Sequence, residues 1–203
     1  MERVFGAALG RVEHLARLLE AEAEPLGLLG PRELGRLWPR HLVNSALAAP
    51  LLPETGLVVD VGSGAGLPGI VLAAMRPELS FELVDSMRRR VDWLSWAAAQ
   101  LELANVEVTW SRAEALEGRQ AAAAISRAVA PLDKLAAWKA GLLAPGGLFL
   151  AMKGASAASE LAAGRKALAR HRLIEAEVVE LAPPPGAAPG EPPTFAIRAR
   201  KAP

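Results

Sequence analysis

Residues 60–70, DVGSGAGLPGI, gather four glycines and a carboxylate where a backbone could close around a ligand. Two chemistries can use such a loop. Counted from Gly62, it is Gly62-x-Gly64-x-Gly66 with Asp60 two places ahead, the pattern of folds that bind S-adenosyl-L-methionine (AdoMet) for methyl transfer. Counted from Gly64, it is G-x-G-x-x-G ending at Gly69, the fingerprint of dinucleotide-binding folds that transfer hydride.

The neighbouring residues choose the register. LVVDV is a short apolar run ending at Val61, so a turn at a strand's carboxyl end starts at Gly62. Pro68 stands where a phosphate loop needs backbone N–H donors. Proline has none, although it suits a first helical turn. AdoMet carries no phosphate and loses nothing there. Gly69 is then a glycine for helix packing. Asp60 can orient the loop and meet the cationic methionine end of AdoMet. Asp85, 23 positions after Gly62, ends the next strand and can accept both ribose hydroxyls, a device of both cofactor classes. Ala113 and Glu114 follow the third strand, where an adenine would lie or where a Glu would simply open a helix.

Absences prune the methyl acceptor. With no Cys, C5 of a pyrimidine has no nucleophile to activate it. The stretch after the fourth strand reads ISRAVAPL, unlike the Pro-Pro-aromatic motif of exocyclic-amine methyltransferases. No acidic metal cluster stands out, and no metal is expected. A ring nitrogen such as guanine N7 asks less, because its lone pair lies in the ring plane and no proton must leave. Arg127, after the fourth strand, could hold the methionine carboxylate or a nucleotide phosphate. Arg88, Arg89 and Arg90 cannot share one helical face. Arg112, Lys153, Arg170 and Arg172 could extend a basic surface toward RNA phosphates. His41 and Asn44 share a face by spacing, as do Trp93 and Trp96, for which packing is favoured over base stacking.

The elements that must carry these residues are legible as alternating segments. Strand patterns occur at 57–61, 81–85, 106–110, 121–126 and 148–153, and helical patterns at 68–76, 87–103, 132–143 and 156–170. Two further strand patterns, 174–182 and 194–200, flank PPPGAAPGEPP, read as a mobile loop. No helix separates them, so they should pair antiparallel. The predicted fold is α/β: a Rossmann-like, AdoMet-dependent methyltransferase fold, its doubly wound sheet mostly parallel with an antiparallel C-terminal strand. Residues 1–53 read as a helical N-terminal extension, with one helix over 3–24 and a second region over 32–50 kinked at Pro39, and residues 54–203 as the catalytic domain. The chain has 203 residues, is 52% apolar and carries a net charge of +1, so RNA affinity must come from local clusters. No apolar run approaches the roughly 18 residues of a membrane span, and the start is no signal peptide, so a cytoplasmic protein is expected.

Taken together, LWPRHLVNSALAAPLL, DVGSGAGLPGI, VDSMRRRVDWL, SRAEAL, ISRAVAPL and MKG resemble the 16S ribosomal RNA guanine-N7 methyltransferases, the glucose-inhibited division protein B family, over residues 34–154. The resemblance implies methylation of a guanine N7 near the decoding site, by direct in-line transfer from AdoMet. It implies cofactor contacts from Asp60, the loop Gly62, Ser63, Gly64, Gly66 and Leu67, then Asp85, Ser86, Ala113, Glu114 and Arg127. It makes His41, Arg89, Arg90 and Lys153 candidates for RNA contact, and Arg127, His41 and Lys153 candidates for positioning. The implied partner is 16S rRNA, in a small ribosomal subunit or an assembly intermediate, bound by a monomer. An AdoMet enzyme for small molecules, or a nucleotide-binding oxidoreductase or regulator keeping only the fold, are the alternatives. The chain departs from the family pattern at Pro39, at Asn44 and in GLLGPRELGRL.

Overall fold

The computed structural model describes residues 1–116, 118–182 and 193–203, which leaves the segment read as a mobile loop almost wholly outside the described residues. Seven strands form one sheet: β1 (Leu57–Val61), β2 (Ser80–Asp85), β3 (Val106–Trp110), β4 (Ala121–Arg127), β5 (Leu143–Lys153), β6 (Leu173–Leu181) and β7 (Thr194–Lys201). Their order is β3-β2-β1-β4-β5-β7-β6. The first five are parallel, and β7 runs antiparallel to both β5 and β6. The chain order reverses between β1 and β4, the crevice where open α/β sheets take ligands.

Five helices cover the sheet and its edge: α1 (Leu9–Glu22), α2 (Gly69–Met75), α3 (Arg88–Gln100), α4 (Leu132–Ala140) and α5 (Ala157–Arg170). Strand parity explains the layers. Val58 faces one cluster, with Leu83, Ile70 and Leu94, while Val59 and Val61 face another, with Val84 and Leu142. Asp60 falls on the side of Val58, beneath the start of α2. A third cluster packs Leu135 and Leu161 of α4 and α5 against Phe149 and Ile197.

Helix α1 presents Val12, Leu15 and Leu19 to the first of these clusters, so the N-terminal helices and the sheet share apolar contacts. Each such side chain contributes about 1.5–3 kcal/mol by burial. The N-terminal region is more broken than its periodicity predicts. Gly6, at φ 52°, interrupts the segment read as one helix over 3–24. The region read as one kinked helix over 32–50 is four short pieces, among them a π-helical stretch, Leu37–Val43, that contains Pro39. Proline withholds one N–H from the helical ladder, and widening the turn is one way to accommodate it. Strand β5 starts at Leu143, earlier than the pattern at 148–153, because Leu143 pairs with Ala121 before the register shifts.

Candidate active site

The carboxyl ends of β1, β2 and β4 open onto a cavity of about 1270 Å³, lined by Gly62, Ser63, Gly64, Ala65 and Leu67, with Asp85, Ala113, Arg127 and His41 among others. Gly66, expected at the cofactor, is not in this lining, and a Cβ there would overlap Ile70 of α2. The loop is fixed before any ligand arrives. The N–H groups of Gly62 and Ser63 donate to Val84 O at 2.8 and 3.0 Å, and Ser63 Oγ donates to Asp60 O at 2.9 Å. Gly62, Gly64 and Gly66 have φ of 74°, 57° and 89°, a region that L side chains rarely enter. At Gly64 an added Cβ would meet only Gly62 O, at 3.8 Å, in a residue that lines the cavity. That backbone is open to a ligand. Trp93, buried in α3, braces the loop by donating its indole N–H to Ala65 O at 3.2 Å.

Gly69 plays another part. Its N–H donates to Asp60 Oδ2 at 3.0 Å, and a Cβ there would overlap Asp60 and Leu83. The donor that a G-x-G-x-x-G loop would offer a phosphate is therefore occupied by a carboxylate, which would also repel one. The two duties expected of Asp60 separate here. It does orient the loop, but at 0% exposure it reaches the cavity only through its charge. Burial pushes its carboxyl up to about 6, against the opposing effects of Ser63, Gly69, Lys139 and Arg127. Its Oδ1 is buried without a hydrogen-bond partner.

Asp85 is 4% exposed and holds the loop from the other side. Oδ2 accepts from Gly64 N–H at 3.0 Å and Oδ1 from Met87 N–H at 2.9 Å. Ser86, Leu67 and two residues of the 3-10 turn Ala113–Ala115, Ala113 and Glu114, also line the cavity. The described carboxylates and backbone groups could hold an adenosyl group by its hydroxyls and ring edge.

The three consecutive arginines do three different things. Arg88 lies over the Trp110 ring, 5.2 Å from its centroid, and pairs with Asp92. Exposed Arg89 lies against Gly27, and Arg90 stands 3.6 Å from Asp85 Oδ2. Trp110, 59% exposed, is an addition from the structure: it ends an edge strand and donates Nε1–H to Ser86 O at 3.0 Å, beside the cavity. Lys153, a candidate RNA ligand by resemblance, is turned to Glu160 Oε2 at 2.6 Å and Ala130 O at 3.1 Å.

His41 is buried, and both its ring nitrogens are engaged. Nε2 lies 2.8 Å from Glu33 Oε2 and Nδ1 lies 3.0 Å from Arg127 Nη2. Arg127 also donates to Arg40 O at 3.2 Å and approaches Asn44 Oδ1 at 3.4 Å, while Asn44 Nδ2 donates to Thr194 Oγ1 at 2.5 Å. Burial pulls Arg127 down to about 10, so it stays charged at neutral pH. Burial first, then the Arg127 charge, lowers His41. Glu33 and Thr194 carry no motif and lie far from Arg127 in sequence, which is why spacing did not reveal them. Lys139 is a further addition, a fully buried lysine whose Nζ donates to Leu150 O at 2.6 Å and Ser126 Oγ at 3.1 Å, and burial pulls it well below the ordinary lysine range.

The family described as rRNA small subunit methyltransferase G matches residues 9–184. A protein named ribosomal RNA small subunit methyltransferase G from Nocardioides sp. is 46% identical over 97% of this chain and 78% of its own length. One of the same name from Clavibacter sepedonicus is 42% identical over 98% and 92%. Among solved structures, M. jannaschii TYW2 in complex with AdoMet superposes with a TM-score of 0.61 at 18% identity, over 80% of this chain and 76% of its own. The tRNA (m1A58) methyltransferase TrmI from Aquifex aeolicus superposes at 0.59 and 15% identity, over 79% and 68%. At these identities the two structures speak to the fold, a Rossmann-like methyltransferase fold.

Proposed function

The chain belongs to the rRNA small subunit methyltransferase G family, and from that premise we propose that it transfers a methyl group from AdoMet to N7 of a guanine in 16S rRNA, near the decoding site. The observation that carries the cofactor is the bond from Gly69 N–H to Asp60, which takes the donor at the start of α2 away from a phosphate, while Gly62, Ser63, Gly64 and Leu67 line the pocket. In this reading Gly62, Ser63, Gly64 and Leu67 cradle AdoMet, Asp85 and Ser86 face the ribose, Ala113 and Glu114 face the adenine, and Arg127 takes the methionine carboxylate. Asp60 acts from behind the loop. AdoMet, when bound, supplies an electrophilic methyl group on a sulfonium.

The side chains around the cavity fit an acceptor that needs no proton removed. His41 has both nitrogens committed and Lys153 is paired with Glu160. Neither is poised as a free base, and guanine N7 requires none. The chain's task is then to hold the acceptor in line and exclude water. The RNA would approach past Arg89, Arg90 and the Arg88–Trp110 pair, which offers a stacking surface for an unpaired base. No helix among the described residues is long and apolar enough to cross a membrane. We take the protein to act as a cytoplasmic monomer on a small subunit or an assembly intermediate.

The test is mass spectrometry of 16S rRNA fragments from a deletion strain, before and after incubation of its small subunits with this protein and AdoMet. Appearance of a 7-methylguanine is the expected result. Subunits that lack the mark and do not regain it would refute the acceptor. Calorimetry showing NAD binding without AdoMet binding would refute the cofactor.

A further inference from the structure

We propose that Glu33 and His41 are a positioning pair for Arg127, so that the methionine end of the cofactor site is complete only when the segment carrying them is seated against β4. The proposal rests on the AdoMet reading of the cavity. Hydrogen-bond chemistry carries it. A guanidinium offers donors only, so His41 Nδ1, 3.0 Å from Arg127 Nη2, must accept. The ring proton is then on Nε2, where Glu33 Oε2 receives it at 2.8 Å. Glu33 thereby selects the one tautomer that can hold Arg127. Its carboxylate is in turn fixed by Arg40 Nε at 3.0 Å.

The other acceptors for Arg127, Arg40 O and Asn44 Oδ1, come from the same short stretch of chain. No side chain from the sheet is recorded as a hydrogen-bond partner of this guanidinium among the described residues. The arginine expected to grip the cofactor is therefore itself gripped from the N-terminal region. Glu33 lies within GLLGPRELGRL, the segment that leads into the π-helical stretch carrying His41.

The pairing predicts a pH signature. Charged groups acting on His41 are Glu33 and Arg40 from its own segment and Arg127 from β4, with Arg36 acting on Glu33 and Asp60 of β1 on Arg127. Protonation would place a second donor on Nδ1, facing the donors of Arg127, and the contact would be lost. Burial and the Arg127 charge delay this to pH values below the ordinary histidine range.

The experiment measures AdoMet affinity of the full chain by calorimetry from neutral to acid pH, with thermal melting of each variant alongside. His41→Ala should weaken AdoMet about tenfold at neutral pH. His41→Asn should recover most of that loss, because the asparagine carbonyl reaches the place of Nδ1, and should lose the acid limb. Glu33→Gln should weaken AdoMet severalfold, since an amide can donate to Nε2 and stabilise the wrong tautomer. The double variant His41→Ala with Arg127→Ala should bind no worse than Arg127→Ala alone, the mark of action through Arg127. Wild-type affinity kept by His41→Ala and Glu33→Gln, with only melting lowered, would overturn the pairing as a purely structural contact. Additive losses in the double variant would overturn it too. Wild-type protein that binds no AdoMet would overturn the cofactor reading and the pairing together.

Discussion

Two glycines five residues apart make opposite predictions. At Gly69 a methyl group would overlap Leu83 and Asp60 and break the bond that fixes the loop. Gly69→Ala should cost about 1–3 kcal/mol in urea unfolding, and cofactor affinity with it. At Gly64 the added methyl meets open space, but the backbone is left-handed. Gly64→Ala should cost only about 1–2 kcal/mol of stability yet abolish AdoMet binding by filling the place the cofactor needs. A Gly64→Ala variant that binds AdoMet as wild type does would contradict this division of labour. Asp60 makes a prediction in pH. Its folded pKa of about 6 lies above the ordinary value of 3.8, so the native state binds the extra proton. That contribution is fully present below the unfolded pKa and is lost as pH rises through about 6, an effect of order 3 kcal/mol. Asp60→Asn keeps an acceptor for Gly69 and carries no charge. Its stability relative to wild type should rise between about pH 4 and pH 7 in denaturant titrations, and a flat difference would show the carboxyl to be unstrained.

Among the elements, β7 is the one whose loss should be felt most. It lies between β5 and β6 and pairs with both. A chain ending at Ala182 would keep β6 with no partner and leave the β5 edge open. It should elute in size-exclusion chromatography as a larger, more heterogeneous species than the full chain does. The strands were legible because each run is short, rich in β-branched or apolar residues, and bounded by turn residues: Leu57–Val61, mostly buried, and Val106–Trp110, at the sheet's edge, fall where the pattern puts them. The segment 32–50 was not, because apolar spacing reports which face is buried and not which helical ladder the backbone adopts around Pro39. The extent of β5 depends on a partner, Ala121, that no local pattern names. The placement of the loop glycines and Asp85 was legible because it is set by the strand ends on which they sit. Glu33, Thr194 and Trp110 were not, since their meaning comes from neighbours that folding supplies.

For the molecule as a whole, the shared cluster joining Val12, Leu15 and Leu19 to Ile70 and Leu83 bears on the proposed division at residue 53. We propose that the two regions differ in role and unfold together. Calorimetry should give one transition whose van't Hoff and measured enthalpies agree. Two transitions would make residues 1–53 an independently stable unit. With a net charge of only +1, the molecule should depend on its local arginine surface for RNA, and affinity should fall steeply with salt only as far as the few phosphates it touches. The order of the sheet itself was beyond sequence patterning, which predicts that β6 and β7 pair but not that β7 enters beside β5.

That insertion has a consequence for biosynthesis. A nascent chain emerges from its N-terminus, so β6 appears before β7, its neighbour in the sheet. The parallel core from β3 to β5 can assemble first, while β6 waits. The first residue of β7, Thr194, is also the one that bonds Asn44 at the Arg127 corner. The corner of the pocket that β7 completes is therefore among the last parts to form.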